Sequence, residues 1–157
     1  MDVKIVDYEP RHREDMLACY LSAKAVMDER APQEHRSIKV KEDLLDIEKH
    51  YFDEGSLSFW LALDGADRVV GMLGFIRLED DESIRLRRFF VEPSFKGRGI
   101  GGKLLAVAEG RAVQKGITRI YTRFADWYDE ADKFYTAKGF IHERRDGQLI
   151  IMMKELG

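Results

Sequence analysis

The sequence is poor in the residues that would place it in several broad classes. Among its 157 residues there is one cysteine, Cys19, and one thiol cannot close an internal disulfide, so the expected home is a reducing, cytoplasmic compartment. Three prolines are too few for a polyproline or collagen-like chain. No apolar run approaches the roughly 20 residues of a membrane span; uncharged stretches such as Val69 to Ile76 are short and contain glycine. The start, Met1-Asp2-Val3-Lys4, leads to Asp7, Glu9, Arg11 and Arg13 rather than to an apolar segment, so no secretory leader is expected. A dominant charge is lacking too: 26 Lys+Arg stand against 29 Asp+Glu, net −3, which excludes a nonspecific polyanion binder.

What is present is the material of a folded domain. Hydrophobic residues make up 45% of the chain and aromatics 11%, and a chain of this length buries roughly 68–70% of its unfolded surface. With no repeat, low-complexity run or linker, residues 1–157 are expected to form a single domain. The charge is unevenly spread. Residues 1–80 hold 11 basic against 18 acidic side chains, whereas Arg85 to Arg123 hold ten basic and two acidic ones. Most of those ten suit a solvated surface; a subset suits an anion site, since clustered cations raise the local concentration of anions.

Periodicity predicts an α+β order of seven strands and four helices. Val3 to Tyr8 alternates as a strand, and a helix covers Met16 to Met27. Arg30 to Ser37, with Pro32, is a loop of the kind that touches substrate. Leu44 to Phe52 reads as a second helix closed by Gly55. Leu57 to Leu63 and Arg68 to Leu78 form a hairpin around Asp64-Gly65-Ala66-Asp67. A strand over Ile84 to Val91 precedes a glycine loop and a helix whose stripe is Leu104, Leu105, Ala108, Ala112 and Val113. Ile117 to Phe124 is a strand, Asp129 caps a helix over Glu130 to Lys138, and Gly139 ends it. Strands at about Phe140 to Arg145 and Gln148 to Lys154 flank Asp146-Gly147.

The informative segment is Lys96-Gly97-Arg98-Gly99-Ile100-Gly101-Gly102. A strand, a basic glycine turn and a helix suit phosphate binding, because the first N–H groups and the positive dipole end of a helix attract anions and glycine lets the backbone approach. The run satisfies G-x-G-x-x-G, yet five residues including Pro93 separate strand from glycine, which weakens a Rossmann dinucleotide reading. No Walker A loop occurs. A tight turn that merely starts a helix is the structural alternative.

From Val91 to Leu105 the residues resemble motif A of the GNAT N-acetyltransferases, V-x-P-x-x-(R/Q)-G-x-G-(I/L)-G. Ala131, Tyr135 and Gly139-Phe140 resemble the family's N-x-x-A-x-x-x-Y-x-x-x-G-F, and the hairpin with Val70-Gly71 resembles its second and third strands. The resemblance implies a single-domain GNAT fold: a mixed sheet of about seven strands flanked by about four helices, with the fourth and fifth strands splayed around acyl-CoA. It implies that the backbone of Gly97, Arg98, Gly99, Ile100, Gly101 and Gly102 receives the pyrophosphate of acetyl-CoA, with charge from Arg98, Lys103 and Lys96. Lys96 stands where Arg or Gln is usual and lacks the planar fork for a bidentate contact. Phe89, Phe90 and Val91 would lie beside the pantetheine arm and acetyl carbonyl. Tyr128, at the usual Asn position, would meet the pantetheine through its hydroxyl. Tyr135 would stand near the sulfur as general acid.

The implied reaction is direct acetyl transfer to a primary amine of a small molecule or peptide. An amine with a pKa near 10.4 must lose its proton, and a phenol with a pKa near 10 can protonate a departing thiolate. The family often has an acid on its fourth strand, where this chain has Arg85. Glu79, Asp126 or water alone are then the candidate bases. Arg85 and Arg87 share a strand face by alternation and suit either a substrate carboxylate or solvent. Trp127 suits the core or an acceptor pocket, and Cys19, with no histidine at a motif spacing, reads as a buried small residue rather than a nucleophile. His12, His35, His50 and His142 lack ligand spacing, so no metal is expected. Neither a nucleic-acid nor a membrane partner is expected; family members frequently dimerise, which leaves a homodimer open. The rival reading is a non-catalytic acyl-CoA-binding or regulatory module.

Overall fold

The structure is a computed structural model that describes residues 2–35 and 40–157. Strand β1 (Lys4–Asp7) is followed by a 3-10 turn at Pro10–His12 and by α1 (Arg13–Asp28). The loop expected over Arg30 to Ser37 is a turn and a short 3-10 segment at Gln33–His35, and its last two residues lie outside the described residues. The helix expected over Leu44 to Phe52 is two: α2 (Glu42–Leu45) and α3 (Ile47–Tyr51). Asp46 divides them, leaving helical geometry at φ −149° while its carboxylate accepts from the Lys49 N–H at 3.2 Å. Gly55 does not close a helix; at φ +90° it turns a small hairpin of β2 (Phe52–Asp53) and β3 (Ser56–Leu57).

The main sheet uses β4 (Phe59–Leu63), β5 (Val69–Arg77), β6 (Ser83–Val91), β7 (Arg119–Ala125), β8 (Ile141–Asp146) and β9 (Leu149–Glu155), with α4 (Ile100–Gln114) and α5 (Asp129–Ala137) between them. Its order is β1-β4-β5-β6-β7-β9-β8. Among the described residues only β6 and β7 pair in parallel; every other neighbour in this sheet is antiparallel. That pattern is incompatible with the doubly wound parallel sheet of a Rossmann binder. The β4–β5 turn closes as its residues predict, with the Asp64 carboxylate accepting from the N–H groups of Ala66 (2.8 Å) and Arg68 (3.0 Å).

Apolar side chains fill both faces of the sheet. On one face Trp60, Phe75, Ile84 and Leu86 pack with Leu104, Leu105, Ala108 and Ala112 of α4 and with Tyr135 of α5. On the other, Phe59, Leu61 and Met72 pack with Met16 and Tyr20 of α1, Leu44 of α2 and Tyr51 of α3. Fully burying a side chain of this size contributes about 1.5–3 kcal/mol. Two further expectations change at the helices: Val113 is exposed rather than on the buried stripe of α4, and Asp129 is the first residue of α5 instead of its cap, with Tyr128 in the cap position making no side-chain cap bond.

Candidate active site

The site is created by an irregularity in β6. Met72 pairs with Phe90 and Gly74 with Arg87, so Leu73 alone faces both Arg88 and Phe89. This is a β-bulge, and Arg88 adopts φ +56°, a conformation that costs a non-glycine residue about 1–2 kcal/mol. Phe89 turns toward α5, while Phe90 turns toward α1 and meets Tyr20 edge-on at 5.2 Å. Arg88 is held by Asp43 of α2 through paired bonds of 2.9 and 2.7 Å, and the Tyr51 hydroxyl donates to the same carboxylate at 2.6 Å. Burial alone would raise the Asp43 pKa. The Arg88 and Tyr51 hydrogen bonds and the Arg88 and Arg87 charges outweigh it and hold the group at about 2.

Past its first three residues, β6 leaves its parallel neighbour. Ser83 to Arg85 pair with Arg119 to Tyr121, and from Leu86 onward β6 has no partner in β7. A cavity of about 690 Å³ lies at the end of β6 beyond this divergence, walled by Phe89 to Val91, the glycine loop with the start of α4, α5 and the C-terminal part of α1. The predicted Phe89, Phe90, Val91, Lys96, Gly97, Gly99, Ile100, Gly101, Gly102, Tyr128 and Tyr135 all line it. Arg98 and Lys103 do not: Arg98 lies over the Phe95 ring at 4.8 Å, and Lys103 is exposed on the first turn of α4.

Each wall follows from local sequence. Gly97 and Gly99 take φ +81° and +79°, and Gly99 caps α4, so its first N–H groups open beside the cavity. Gly71 lets α4 seat on β5, since a Cβ there would meet Leu104 at 3.0 Å and Ile100 at 3.1 Å. Opposite, α1 supplies Ala23, Val26 and Met27, the residues just after it supply Arg30, and α5 with its C-terminal end supplies Ala131, Phe134 and Lys138. Ala131 belongs to the segment that resembles the family's second motif; the α1 residues, Arg30 and Lys138 carry no motif, and the signal for α1 is its amphipathic pattern. At the rim Arg30 pairs with Glu130 at 2.7 Å and Lys96 with Glu130 at 3.6 Å, joining the end of α1, the glycine loop and the start of α5.

Tyr135 sits at the deep end, 7% exposed. Its ring stacks on Phe124 at 5.9 Å and meets Phe140 at 5.1 Å and Phe134 at 5.3 Å. Burial pushes its phenol up to about 12, against a side-chain hydrogen bond with Thr122 that pulls it down. The hydroxyl is therefore a protonated donor across the physiological range.

The remaining candidates are dispersed. Glu79 is exposed just past β5, at the end where β6 begins, and does not line the cavity. Asp126, after β7, pairs with Arg145. Trp127 packs edge-on against Tyr128 at 5.8 Å. Cys19 is buried on α1, and burial, then the Glu92 charge, push its thiol up to about 12, so a thiolate nucleophile is not available at neutral pH. Among the described residues no group of His, Cys, Asp and Glu is arranged to hold a metal ion, and no helix is long and apolar enough to cross a membrane.

Comparison with known proteins agrees with this architecture. Residues 23–140 match the Acetyltransferase (GNAT) family. N-acetylaspartate synthetase of Xenopus tropicalis is 29% identical over 131 residues, which is 78% of this chain and 43% of that protein. The probable N-acetyltransferase camello of Xenopus laevis is 33% identical over 101 residues, 64% of this chain and 46% of that one. The chain thus spans less than half the length of these curated relatives. The structure of a GNAT-family acetyltransferase from Staphylococcus aureus Mu50 superposes with a TM-score of 0.83 at 25% identity, covering 99% of this chain and 100% of that one. The PaiA N-acetyltransferase of Thermoplasma acidophilum, in complex with coenzyme A, shares the fold with a TM-score of 0.82 at 19% identity, over 99% and 100%. A family match over most of the chain, on a sheet opened between β6 and β7, makes this chain a member of the GNAT acetyltransferase family.

Proposed function

We propose that residues 1–157 form a single N-acetyltransferase domain that moves the acetyl group of acetyl-CoA to a primary amine by direct transfer in a ternary complex. The observation that carries this is the cavity itself, which has a glycine-built helix start at one end and a buried phenol at the other. Its walls suit the co-substrate. Phe89, Phe134, Val26 and Met27 offer apolar surface for an extended arm, while the Gly97 to Gly102 amides, Lys96 and Lys138 suit phosphate oxygens. The Thermoplasma protein of like fold, solved with coenzyme A, supports the same occupant.

Acetyl-CoA supplies the activated acyl group. The chain then has to orient it, exclude water and manage two protons. The unpaired edge of β6 from Leu86 to Val91 offers backbone N–H and C=O groups to an extended ligand, as an open strand edge does. The aromatic surround of Tyr135 keeps water from the deep end. Its hydroxyl holds a proton that can pass to a departing sulfur, and its raised pKa keeps that proton in place until then. For the amine proton, Arg85 in place of a strand acid and the remote position of Glu79 favour solvent water as acceptor; Asp126 is paired with Arg145 and does not line the cavity.

The test mixes the protein with acetyl-CoA and a panel of amines while free thiol is followed. Amine-dependent thiol release is expected. Tight acetyl-CoA binding with no thiol release on a broad panel would instead support the non-catalytic acyl-CoA module.

A further inference from the structure

On the sheet face away from α4, a second cavity of about 290 Å³ adjoins the opening between β6 and β7. Its charged lining is Arg85, Arg123 and Arg144 with Asp80, Glu143 and Asp146. The three carboxylates are already engaged. Asp80 accepts from the Ser83 hydroxyl at 2.8 Å and from the N–H groups of Ser83 and Glu82 at 2.9 and 3.0 Å. Glu143 and Asp146 stand 3.4 and 4.0 Å from Arg144. Arg87, the next residue on this face of β6, is 4.0 Å from Asp43. Among the described residues this leaves Arg85 and Arg123 with no carboxylate within ion-pair distance. Arg123 is close enough to disfavour the charge on Arg85: burial first, then Arg123 and Arg87, lower the pKa of Arg85. Two neighbouring guanidiniums, one of them partly desolvated, are stabilised by an anion between them.

The cavity also touches the proposed chemistry. Thr122 lines it and hydrogen-bonds Tyr135, which lines the larger cavity on the other side of the gap. We infer that Arg85 and Arg123 form a carboxylate subsite, and that the acceptor is an amine carrying an acidic group. This rests on the acetyltransferase reading. Arg123 lies two residues beyond Tyr121, the partner of Arg85, so the two guanidinium-bearing positions stand two to four residues short of Phe89. At strand spacing that is roughly 7–13 Å. An acceptor whose carboxylate is several bonds from its amine, such as a dicarboxylic amino acid or an acidic dipeptide, spans this better than glycine.

The experiment compares kcat/KM for L-glutamate and L-glutamine by thiol release, alongside glutarate binding followed by backbone amide shifts, which needs no turnover. Glutamate should be preferred about 10- to 100-fold, the range expected of charge-assisted hydrogen bonds. Arg85→Gln and Arg123→Gln should each erase most of that ratio and weaken glutarate binding, and Arg85→Lys should retain part of both; a thermal melt checks that each variant is folded. Glutarate shifts at Arg85 and at Tyr121 to Arg123, lost in Arg85→Gln, would sustain the subsite even if no amine were acetylated, in which case only the enzyme reading fails. Equal rates for the two acceptors, or glutarate shifts absent from these residues, would overturn the inference.

Discussion

The two sides of β6 are built on different principles. Toward α4 and α5, the cavity wall is backbone and apolar surface: a bulge, an unpaired strand edge and glycines at positive φ. Away from α4 and beside α2 and α3, the strand presents Arg85 and Arg87, and Arg88 is clamped by a carboxylate from a helix 45 residues earlier in the chain. The first side suits a ligand that many related sequences must hold, since main-chain groups do not depend on residue type. The second is made of side chains, so its chemistry depends on which residues this chain places there.

Four changes separate these roles, in falling order of expected effect. Tyr135→Phe keeps the aromatic packing and removes the hydroxyl, so kcat should fall about 100-fold or more while the KM for acetyl-CoA moves little. In the unsubstituted protein, activity should rise with pH as the amine deprotonates and should show no Tyr135 limb below about pH 10, the unperturbed phenol value. Asp43→Asn breaks the clamp on the bulge from the other side. Removing one partner of a buried pair costs about 3–5 kcal/mol, to be read from denaturant unfolding. The sign of the linked pH effect is set by a depressed carboxylate: the Asp43 contribution is present above its ordinary pKa of 3.8 and lost as pH falls toward about 2. It amounts to about 2 kcal/mol, and in the Asp43→Asn protein that segment of the pH–stability curve should flatten.

Gly99→Ala forces a side chain into left-handed backbone at the start of α4, at about 1–2 kcal/mol, so acetyl-CoA binding measured by calorimetry should weaken about 10-fold. Cys19→Ala should leave acetyl transfer as it was and cost about 1 kcal/mol of stability, and the native thiol should resist alkylation at pH 7. Rapid labelling of Cys19 would mean that α1 opens from the sheet.

These two sides were unequally legible in the sequence. The glycine run, Tyr135 and the strand before the loop carry local signals, because turn, cap and strand chemistry is set by neighbours within a few residues. The bulge has no such mark. Arg88 holds φ +56° because Asp43 and Tyr51, far away in the chain, compensate the strain. The helix expected from Leu44 to Phe52 broke at Asp46 because its carboxylate found the Lys49 N–H, a competition that apolar spacing does not register. Glu79 lies near a strand end in the sequence, and the sheet register shows that this is the end remote from the bulge. In the sequence Arg123 is one of ten cations in a basic stretch; its proximity to Arg85 across the sheet follows from the parallel register of β6 and β7.

In the proposed function acetyl-CoA enters where β6 parts from β7, against the end of β6, the glycine loop and α5. Backbone amide shifts recorded while acetyl-CoA is titrated into the protein test it directly. The expected response is confined to Phe89 to Val91, Gly97 to Gly102 and the start of α5. Saturable binding whose shifts fall elsewhere, with these amides unmoved, would contradict it.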